Sequence, residues 1–338
     1  MRRQSPSPAK ADVMTLFGKS LLPDYARFRI PGIVTCADGS VLAYCEARQS
    51  DDDWAVIDIL LRKSKDGGRT FSAPVLLTSG ASEGKTVNNP VMIAGDDGTV
   101  HYIYCVEYGL PESGGGVFYR KSTDFGETWT EPKEITQATM PEKRNVFATG
   151  PGHGVALSDG TLLVACWTVL KRYGEELHSH HPGTVCCLTS KDGGISWDVS
   201  SVIPNGEVND PNETAAAQIP DGTVVLSVRD GNTHSRCASL SKDGSAFAPI
   251  RSLPDLPDPV CCAGMTAADG MLYLTNCNSR TERSNLTLWK SANGTDWSVV
   301  SIIDEGSAGY SDITHTGSNL MIAYEKETDI LCAEIPIQ

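Results

Sequence analysis

Residues that could carry out chemistry stand together in two short segments. One segment is His178-Ser179-His180-His181, and histidine is both a common metal ligand and a proton carrier near neutral pH. Because the chain has no CxxC pair to complete a zinc site, we predict no metal here. We interpret the segment either as an insertion that lines the rim of a substrate pocket or as a plain surface loop.

The second segment, Gly150-Pro151-Gly152-His153-Gly154, is a glycine-rich turn. It is not a phosphate-binding loop, because such a loop needs a lysine and a helix that follows it. Its glycines instead allow close approach of the backbone to a neighbour. No metal and no organic cofactor is predicted for this chain.

The charge balance limits what the chain can bind. Its 338 residues include 42 acidic and 28 basic side chains, which gives a formal net charge of −14. Such a surface repels nucleic acids and anionic membranes, so neither is expected as a partner. An anionic ligand would have to be held by a local cluster of cationic side chains.

The cysteines and the N-terminal residues bear on the compartment. The 11 cysteines follow no disulfide framework, which favours reduced, buried thiols. Residues 1–8 are basic, but no apolar segment follows them, and no window reaches the roughly 18 apolar residues of a membrane span. We expect a cytoplasmic protein if the chain is complete, and a secreted or periplasmic one if a signal peptide was removed.

An eight-residue sequence motif, here called the repeat turn, recurs along the chain. The pattern S-x-D-x-G-x-[TS]-[WF] occupies residues 64–71, 122–129 and 190–197, and weaker copies occupy residues 241–247 and 291–297. Asp and Gly favour a hairpin, while the hydroxyls and the carboxylate can bond to turn amides. The final aromatic residue is expected to enter a packed layer where the next strand begins.

A second turn signal alternates with the repeat turn. Asp-Gly pairs that begin at residues 38, 97, 159, 221 and 269 each precede an apolar strand. Each unit thus holds two hairpins, or four strands, and five units carry both signals. A sixth strand pair with its turn at Gly317 and a final strand complete the chain. The sequence predicts an all-β, six-bladed β-propeller of four-stranded antiparallel blades in residues 25–338, with residues 1–24 as a tail or a blade-closing strand.

Three motifs add a family resemblance to this fold prediction: Phe28-Arg29-Ile30-Pro31, Asp38-Gly39-Ser40 and Glu46-Ala47-Arg48. Together with the repeat turns, they resemble the exo-α-sialidases, or neuraminidases, with Asp-box (BNR) repeats. The resemblance extends from about residue 25 to about residue 326. It implies a glycoside hydrolase that removes terminal sialic acid from glycans with retention of configuration.

The resemblance also implies three catalytic residues. Tyr310 matches the nucleophile, and Glu213 matches the glutamate that accepts its proton. Asp53 is the best match to the acid/base aspartate, with Asp51 and Asp52 as the alternatives. A neutral tyrosine suits this substrate, because sialic acid carries a carboxylate on its anomeric carbon that would repel a carboxylate nucleophile.

Four further residues are implied to bind the substrate. Arg29, Arg229 and Arg283 match the arginines that hold the sugar carboxylate, and Glu325 matches the acid that braces the first of them. Guanidinium groups suit this task because they pair with a carboxylate through two parallel hydrogen bonds.

The sequence defines the pocket for the rest of the sugar less closely. Trp54, Phe147 and Trp167 are candidate walls, and the segment that contains His180 departs from the sialidase pattern. Sialylated glycans are the expected partners, but the same machinery could act on a related ulosonic acid, such as deaminated sialic acid or a Kdo-like sugar. A non-catalytic carbohydrate-binding propeller is the alternative from another class, and the presence of Tyr310 argues against it.

Overall fold

The computed structural model describes residues 12–139, 144–170 and 180–337. In these ranges 26 strands form six sheets, and the helices are three short 3-10 turns. The predicted all-β propeller of six antiparallel blades is confirmed. Within the same ranges, no helix has the length and apolar character needed to cross a membrane.

The strands follow one another through the blades in chain order, with β1 and β11 as the exceptions. Blade 1 contains β2 (Arg27–Thr35), β3 (Val41–Arg48), β4 (Ile57–Ser64) and β5 (Val75–Thr78). Blade 2 contains β6 (Val87–Ala94), β7 (Val100–Val106), β8 (Gly116–Ser122), β9 (Lys133–Glu134) and β11 (Gly152–His153). Blade 3 contains β10 (Arg144–Thr149), β12 (Val155–Ala156), β13 (Leu162–Leu170), β14 (Thr184–Ser190) and β15 (Asp198–Val199).

The second half of the chain builds three blades of four strands each. Blade 4 contains β16 (Pro211–Gln218), β17 (Val224–Asp230), β18 (Ser235–Ser241) and β19 (Arg251–Pro257). Blade 5 contains β20 (Gly264–Ala268), β21 (Met271–Cys277), β22 (Ser284–Ser291) and β23 (Ser298–Ser307). Blade 6 contains β24 (Ser311–Thr316), β25 (Asn319–Lys326), β26 (Asp329–Pro336) and β1 (Asp12–Phe17). The 3-10 turns are Glu107–Gly109, Pro111–Ser113 and Thr136–Thr139.

Strand β1 comes from the N-terminal part of the chain and completes the last blade. It pairs antiparallel with β26, so that Val13 lies opposite Ala333 and Met14 lies opposite Cys332. The two ends of the described chain therefore share one sheet, which covers an edge of β26 that would otherwise be exposed.

Each repeat turn is held by its own side chains. In the first copy, the Ser64 hydroxyl donates to Asp66 Oδ1 over 2.7 Å and accepts the Gly68 N–H over 2.8 Å. The same carboxylate accepts the N–H of Thr70 over 2.9 Å. The copies at residues 122–129 and 190–197 repeat this pattern. The repeat-turn motif therefore forms a turn whose hydrogen-bond partners all lie within the motif.

The aromatic residue that ends each repeat turn packs between neighbouring blades. Trp197 is buried in the cluster formed by blades 2 and 3, and the partly buried aromatic residues of the other copies pack against four further clusters, as Phe71, Trp129, Phe247 and Trp297. All 11 cysteines are free and buried, as predicted. The core is thus divided among the blade interfaces.

The glycine turn after β10 brings the backbone close to residues of blades 1, 2 and 6. β11 pairs in parallel with β6, and the Tyr44 hydroxyl donates to the Gly152 carbonyl over 2.7 Å. Gly152 has a φ of 95°, and a Cβ on it would lie 3.1 Å from the carboxylate of Asp312. The close approach predicted for this segment is therefore present.

The two ends of the propeller differ in what they carry. In blade 1, β2 begins and β3 ends at the same end of the sheet, because the two strands are antiparallel with Arg27 opposite Arg48. The repeat turn follows β4 at the opposite end, after Ser64. We call these the site end and the turn end.

Candidate active site

Tyr310 and Glu213 form a buried pair at the site end. Tyr310 directly precedes β24, and Glu213 lies near the start of β16, so two different blades contribute the pair. The Tyr310 phenol donates a hydrogen bond to Glu213 Oε1 over 2.9 Å, across 97 residues of sequence. A carboxylate at hydrogen-bond distance is the kind of partner that can activate a weak nucleophile such as a phenol.

The surroundings of Tyr310 act on its pKa in opposite directions. Burial raises the pKa most strongly, the Arg229 guanidinium lowers it, and the Glu213 carboxylate raises it again. The net result is a pKa well above the ordinary value of about 10. The phenol is therefore protonated at neutral pH and needs a base when it reacts, and Glu213 lies at hydrogen-bond distance for that role.

Three guanidinium groups surround the ring of Tyr310. The guanidinium carbons of Arg29, Arg283 and Arg229 lie 4.9, 5.2 and 5.9 Å from the ring centroid. Arg229 also donates to the Tyr310 oxygen over 2.6 Å and to Glu213. The structure thus brings together the local cationic cluster that an anionic ligand needs in this acidic chain.

Arg229 carries a donor that the described residues do not satisfy. Its Nε is buried and has no hydrogen-bond partner within those residues. Burial opposes the charge of Arg229, but Glu213 and Tyr310 outweigh burial and hold its pKa well above the ordinary value.

Glu325 holds Arg29 and two segments of backbone. Its Oε1 accepts the Nε of Arg29 over 3.1 Å and the N–H of Ile30 over 3.0 Å. Its Oε2 accepts the N–H of Tyr310 over 3.3 Å. Ile30 adopts a φ of 56°, which is rare for a β-branched residue, so its local conformation depends on such contacts. One carboxylate therefore positions both the first arginine and the backbone of Tyr310.

Asp53 lies at the same site in an ion pair. Its Oδ1 is 2.6 Å from Arg48 Nη1 and 3.6 Å from Arg29 Nη1, and its side chain is 49% exposed. Burial raises the pKa of Asp53, but the hydrogen bond and charge of Arg48, with the charges of Arg29 and His180, outweigh it and hold the pKa below its ordinary value. In this state the Asp53 carboxylate is ionised.

The two neighbouring aspartates point to other partners. Asp51 pairs with Arg27 over 3.0 Å and is 80% exposed, whereas Asp52 accepts the backbone N–H of Trp54 over 2.9 Å. Only Asp53 of the three lies among the residues that line the cavity described below.

Arg48 is the main residue at this site that the sequence interpretation missed. It is buried, and two of its nitrogens donate to Glu46 Oε2 over 2.9 and 2.6 Å. The other oxygen of Glu46 accepts the N–H of Asn89 over 2.8 Å. The available signal was the spacing, because Glu46 and Arg48 are two residues apart on β3 and so share a face of the sheet.

A cavity of about 170 Å³ opens between these groups. Its lining residues come from blades 1 to 4 with their loops and from the segment between blades 5 and 6: Arg29, Ile30, Arg48, Asp53, Asn89, Tyr108, Trp167, His180, His181, Asn212, Glu213, Arg229 and Tyr310. Arg283 borders the site through its approach to the Tyr310 ring. Six of the predicted site residues therefore line one cavity: Arg29, Asp53, Trp167, Glu213, Arg229 and Tyr310.

The three residues predicted as pocket walls differ in their position relative to the cavity. Trp167 lines the cavity. Trp54 stands beside it and packs on the ring of Tyr108 at 4.7 Å. The prediction for Phe147 is wrong, because its side chain is completely buried in the core between blades 2 and 3. Tyr108, which the sequence interpretation did not single out, takes a place in the wall.

The histidine segment reaches the same cavity. His178 and Ser179 lie outside the described residues, whereas His180 and His181 are part of the lining. The geometry therefore supports the interpretation of this segment as a pocket rim.

The comparisons with known proteins identify the family. The BNR repeat-like domain family matches residues 39–322. The chain belongs to this family. Since the match includes all five repeat turns, the predicted relation to proteins with BNR repeats is confirmed.

Curated relatives of this BNR-repeat chain are named sialidases. The chain is 27% identical to a sialidase of Bacteroides fragilis over 85% of its own length and 57% of the relative's. It is 28% identical to a sialidase of Micromonospora viridifaciens over 88% of its own length and 49% of the relative's. The chain thus spans about half the length of these two relatives.

Solved sialidase structures share the fold of this family member. The Hadza microbial sialidase Hz136 matches with a TM-score of 0.81 and 23% identity, over 93% of this chain and 66% of that one. A Trypanosoma rangeli sialidase in complex with 2,3-difluorosialic acid, described as a covalent intermediate, matches with a TM-score of 0.78 and 18% identity, over 97% of this chain and 59% of that one. At these identities the likeness shows the fold alone.

Proposed function

We propose that this protein is a retaining exo-α-sialidase, a glycoside hydrolase that removes terminal α-linked sialic acid from glycoconjugates. The observation that carries the proposal is the Tyr310–Glu213 hydrogen bond inside a ring of three arginines. Relatives named sialidases over most of the chain support the same activity. The ulosonic acids are the sugar class that this arrangement suits best. Because their carboxylate is attached to the anomeric carbon, they need both a cationic group that binds the carboxylate and an uncharged nucleophile beside it.

In the first step the Tyr310 oxygen attacks the anomeric carbon and its proton passes to Glu213. The bond to the leaving oxygen breaks, and Asp53 supplies the proton that this oxygen takes up. A covalent sialyl-tyrosine remains. In the second step Asp53 removes a proton from water, the water oxygen attacks the anomeric carbon, and Tyr310 leaves with the proton that Glu213 returns. Two displacements at one carbon retain its configuration.

The arginines fix the substrate carboxylate during both steps. Arg29 and Arg229 are largely buried and braced by Glu325 and Glu213, so little rotamer entropy remains to be lost when the substrate binds. A substrate carboxylate also competes with Asp53 for Arg29. Arg48 does most to hold the pKa of Asp53 down and Arg29 adds to it, so competition for Arg29 raises the pKa of Asp53 and favours the protonated acid that the first step needs.

Trapping of the covalent intermediate tests this proposal. A 3-fluoro sialyl fluoride slows both steps by destabilising the cation-like transition state, but its good leaving group lets the first step proceed. We expect intact-mass analysis to show one added sugar and peptide mapping to place it on Tyr310. Tyr310→Phe should abolish the adduct, whereas Tyr273→Phe, a matched change in blade 5, should retain it.

Other outcomes of these experiments would show which part of the proposed function is wrong. A label on Glu213 or Asp53 would overturn the tyrosine mechanism, and hydrolysis without any label would point to inversion. Turnover of a deaminated or Kdo-like glycoside in preference to the sialoside would change the substrate. Binding without turnover of any of these glycosides would leave a carbohydrate-binding propeller.

A further inference from the structure

The cavity wall contains a histidine that the proposed mechanism does not use. His180 packs its ring against Tyr108 at 4.8 Å, Trp167 at 5.5 Å and Trp54 at 5.9 Å. This packing anchors the backbone at the rim. The next residue, His181, also lines the cavity, and its side chain is 64% exposed.

A carboxylate orients the ring of His181. Asp210 Oδ2 lies 2.6 Å from His181 Nδ1, and Asp210 Oδ1 accepts the N–H of Gly183 over 2.6 Å. Since a carboxylate only accepts hydrogen bonds, this contact places a proton on Nδ1. The other ring nitrogen, Nε2, accepts a hydrogen bond when the ring is neutral and donates one when it is charged.

Asp210 is itself tied to the catalytic segments. It lies three residues before Glu213 in the chain, and its N–H donates to Asp230 Oδ1 over 2.9 Å. Asp230 directly follows Arg229. The position of the His181 ring is therefore set by the backbone segments that carry the proposed base, Glu213, and the second arginine, Arg229. A histidine with no role beyond the surface would not need such support.

We infer that His181, positioned by Asp210, is a specificity-determining residue that forms a hydrogen bond with a hydroxyl group of the substrate. This inference rests on the proposed function. The arginines recognise a carboxylate and do not read the rest of the molecule, whereas an imidazole both accepts from and donates to hydroxyls. Because His181 stands at the exposed rim, the hydroxyl belongs to a part that extends away from the carboxylate, either the three-carbon side chain of the sugar or the leaving glycan.

Three substrates separate these two sources. They are sialyl-lactose, an aryl sialoside that lacks a leaving sugar, and the same aryl sialoside with its side chain shortened to one carbon by periodate oxidation and reduction. His181→Phe keeps a ring but removes the hydrogen bond. We expect it to lower kcat/KM about tenfold on a substrate that carries the contacted hydroxyl and to leave kcat/KM unchanged on one that lacks it.

The pattern of losses identifies the contact. A loss on sialyl-lactose alone places the contacted hydroxyl on the leaving glycan. A loss on both substrates that keep the full side chain, but not on the shortened one, places the hydroxyl on that side chain. His181→Gln, which keeps an amide near the position of Nε2, should recover part of the loss. Asp210→Asn should give the same pattern more weakly, since its amide oxygen can still accept the Gly183 N–H and the change reaches the substrate through His181. His315→Phe, at an exposed position of β24 in blade 6, is the matched control and should behave as wild type.

Two results would overturn the inference while the proposed function stands. They are wild-type kinetics of His181→Phe on all three substrates, and an equal loss on all three with no rescue by His181→Gln. Calorimetry with the 2,3-unsaturated analogue of sialic acid keeps the two proposals distinguishable. If the wild-type protein neither hydrolyses the substrates nor binds this analogue, both proposals fall.

Discussion

The turn end and the site end of this propeller are built by opposite means. At the turn end, Asp124 bonds to Ser122 and Thr128, which lie two and four residues away. At the site end, the bonds of Tyr310 to Arg229 and Glu213 span 81 and 97 residues, and the bond of Arg29 to Glu325 spans 296. The turns can form within one hairpin, whereas the site exists only when the blades have closed into a ring.

The two ends also differ in how their carboxylates are used. In the repeat turns, hydroxyl and N–H donors lower the pKa of Asp124 to about 2, with no cationic side chain among the causes. At the site, Glu213, Glu325 and Asp53 face arginines, and the Nε of Arg229 is left without a partner in the described residues. The carboxylates of the repeat turns are thus held by donors of their own turn, whereas those of the site end hold guanidinium groups whose charge a bound anion can share.

The largest effect should come from the base at the site end. Glu213→Gln removes the proton acceptor of Tyr310 and one partner of Arg229, so kcat/KM should fall about 10⁴-fold at neutral pH. Steady-state kinetics with an aryl sialoside measure this loss. Glu207→Gln, on an exposed segment before the same blade, should retain wild-type kinetics. A loss below tenfold in Glu213→Gln would remove Glu213 from its assigned role.

The proposed acid should show a contrast between substrates. Asp53→Ala should lower kcat/KM about 10³-fold on a natural glycan, but less than tenfold on an aryl glycoside whose leaving group needs little protonation. Because the ion pair with Arg48 lowers the pKa of Asp53, wild-type kcat/KM for the natural glycan should fall as the pH rises through the acid range, and that for the aryl glycoside should fall less. Paired pH profiles of kcat/KM measure both effects.

The neighbouring aspartates serve as controls for this loop. Asp51→Ala and Asp52→Ala should show no dependence on the leaving group, because their carboxylates contact Arg27 and the Trp54 N–H. If the contrast follows Asp52, the acid has been placed one residue off.

A smaller effect should follow from a change of geometry at constant charge. Arg283 approaches the Tyr310 ring at 5.2 Å and donates to the Val260 carbonyl over 3.1 Å. Arg283→Lys keeps the charge but loses the paired donors, so kcat/KM should fall about 10²-fold. Arg280→Lys, in the same loop but bonded to the carbonyls of His234 and Pro254, is the matched control. Near-wild-type kinetics of Arg283→Lys would exclude Arg283 from the carboxylate clamp.

The contrast between the ends explains what could be predicted from the sequence. The repeat turns were recognisable because one short segment contains all their partners, and five copies define the blades. The residues of the site were found through order and motif rather than through local chemistry. Their convergence could not be derived, since it depends on the closure of the ring.

The errors at the site have the same physical cause. Phe147 follows a register shift in the pairing of β10 with β13 between Arg144 and Val146, and such a shift changes which residues face the core. The role of Arg48 depends on a loop that folds Asp53 back onto it. The register shift leaves no periodic pattern in the chain, and the spacing of Glu46 and Arg48 indicates a shared face but not the contact with Asp53.

The smallest effect on catalysis should come from the turn end, where stability alone should change. Gly67 and Gly68 both have positive φ values, of 73° and 96°. They differ in the space around them. A Cβ on Gly67 would meet no atom within 4 Å, whereas a Cβ on Gly68 would lie 2.6 Å from the Met321 side chain of blade 6. Gly67→Ala should therefore lower the free energy of unfolding by about 1 kcal/mol through backbone strain, and Gly68→Ala by about 2 to 3 kcal/mol, because packing against Met321 is also disturbed. Denaturant unfolding measures both values, and kcat/KM of the folded variants should stay within about twofold of wild type. Equal destabilisation by the two changes would mean that the repeat turn does not depend on its contact with blade 6, and a fall in kcat/KM of the folded protein would show that the two ends are coupled.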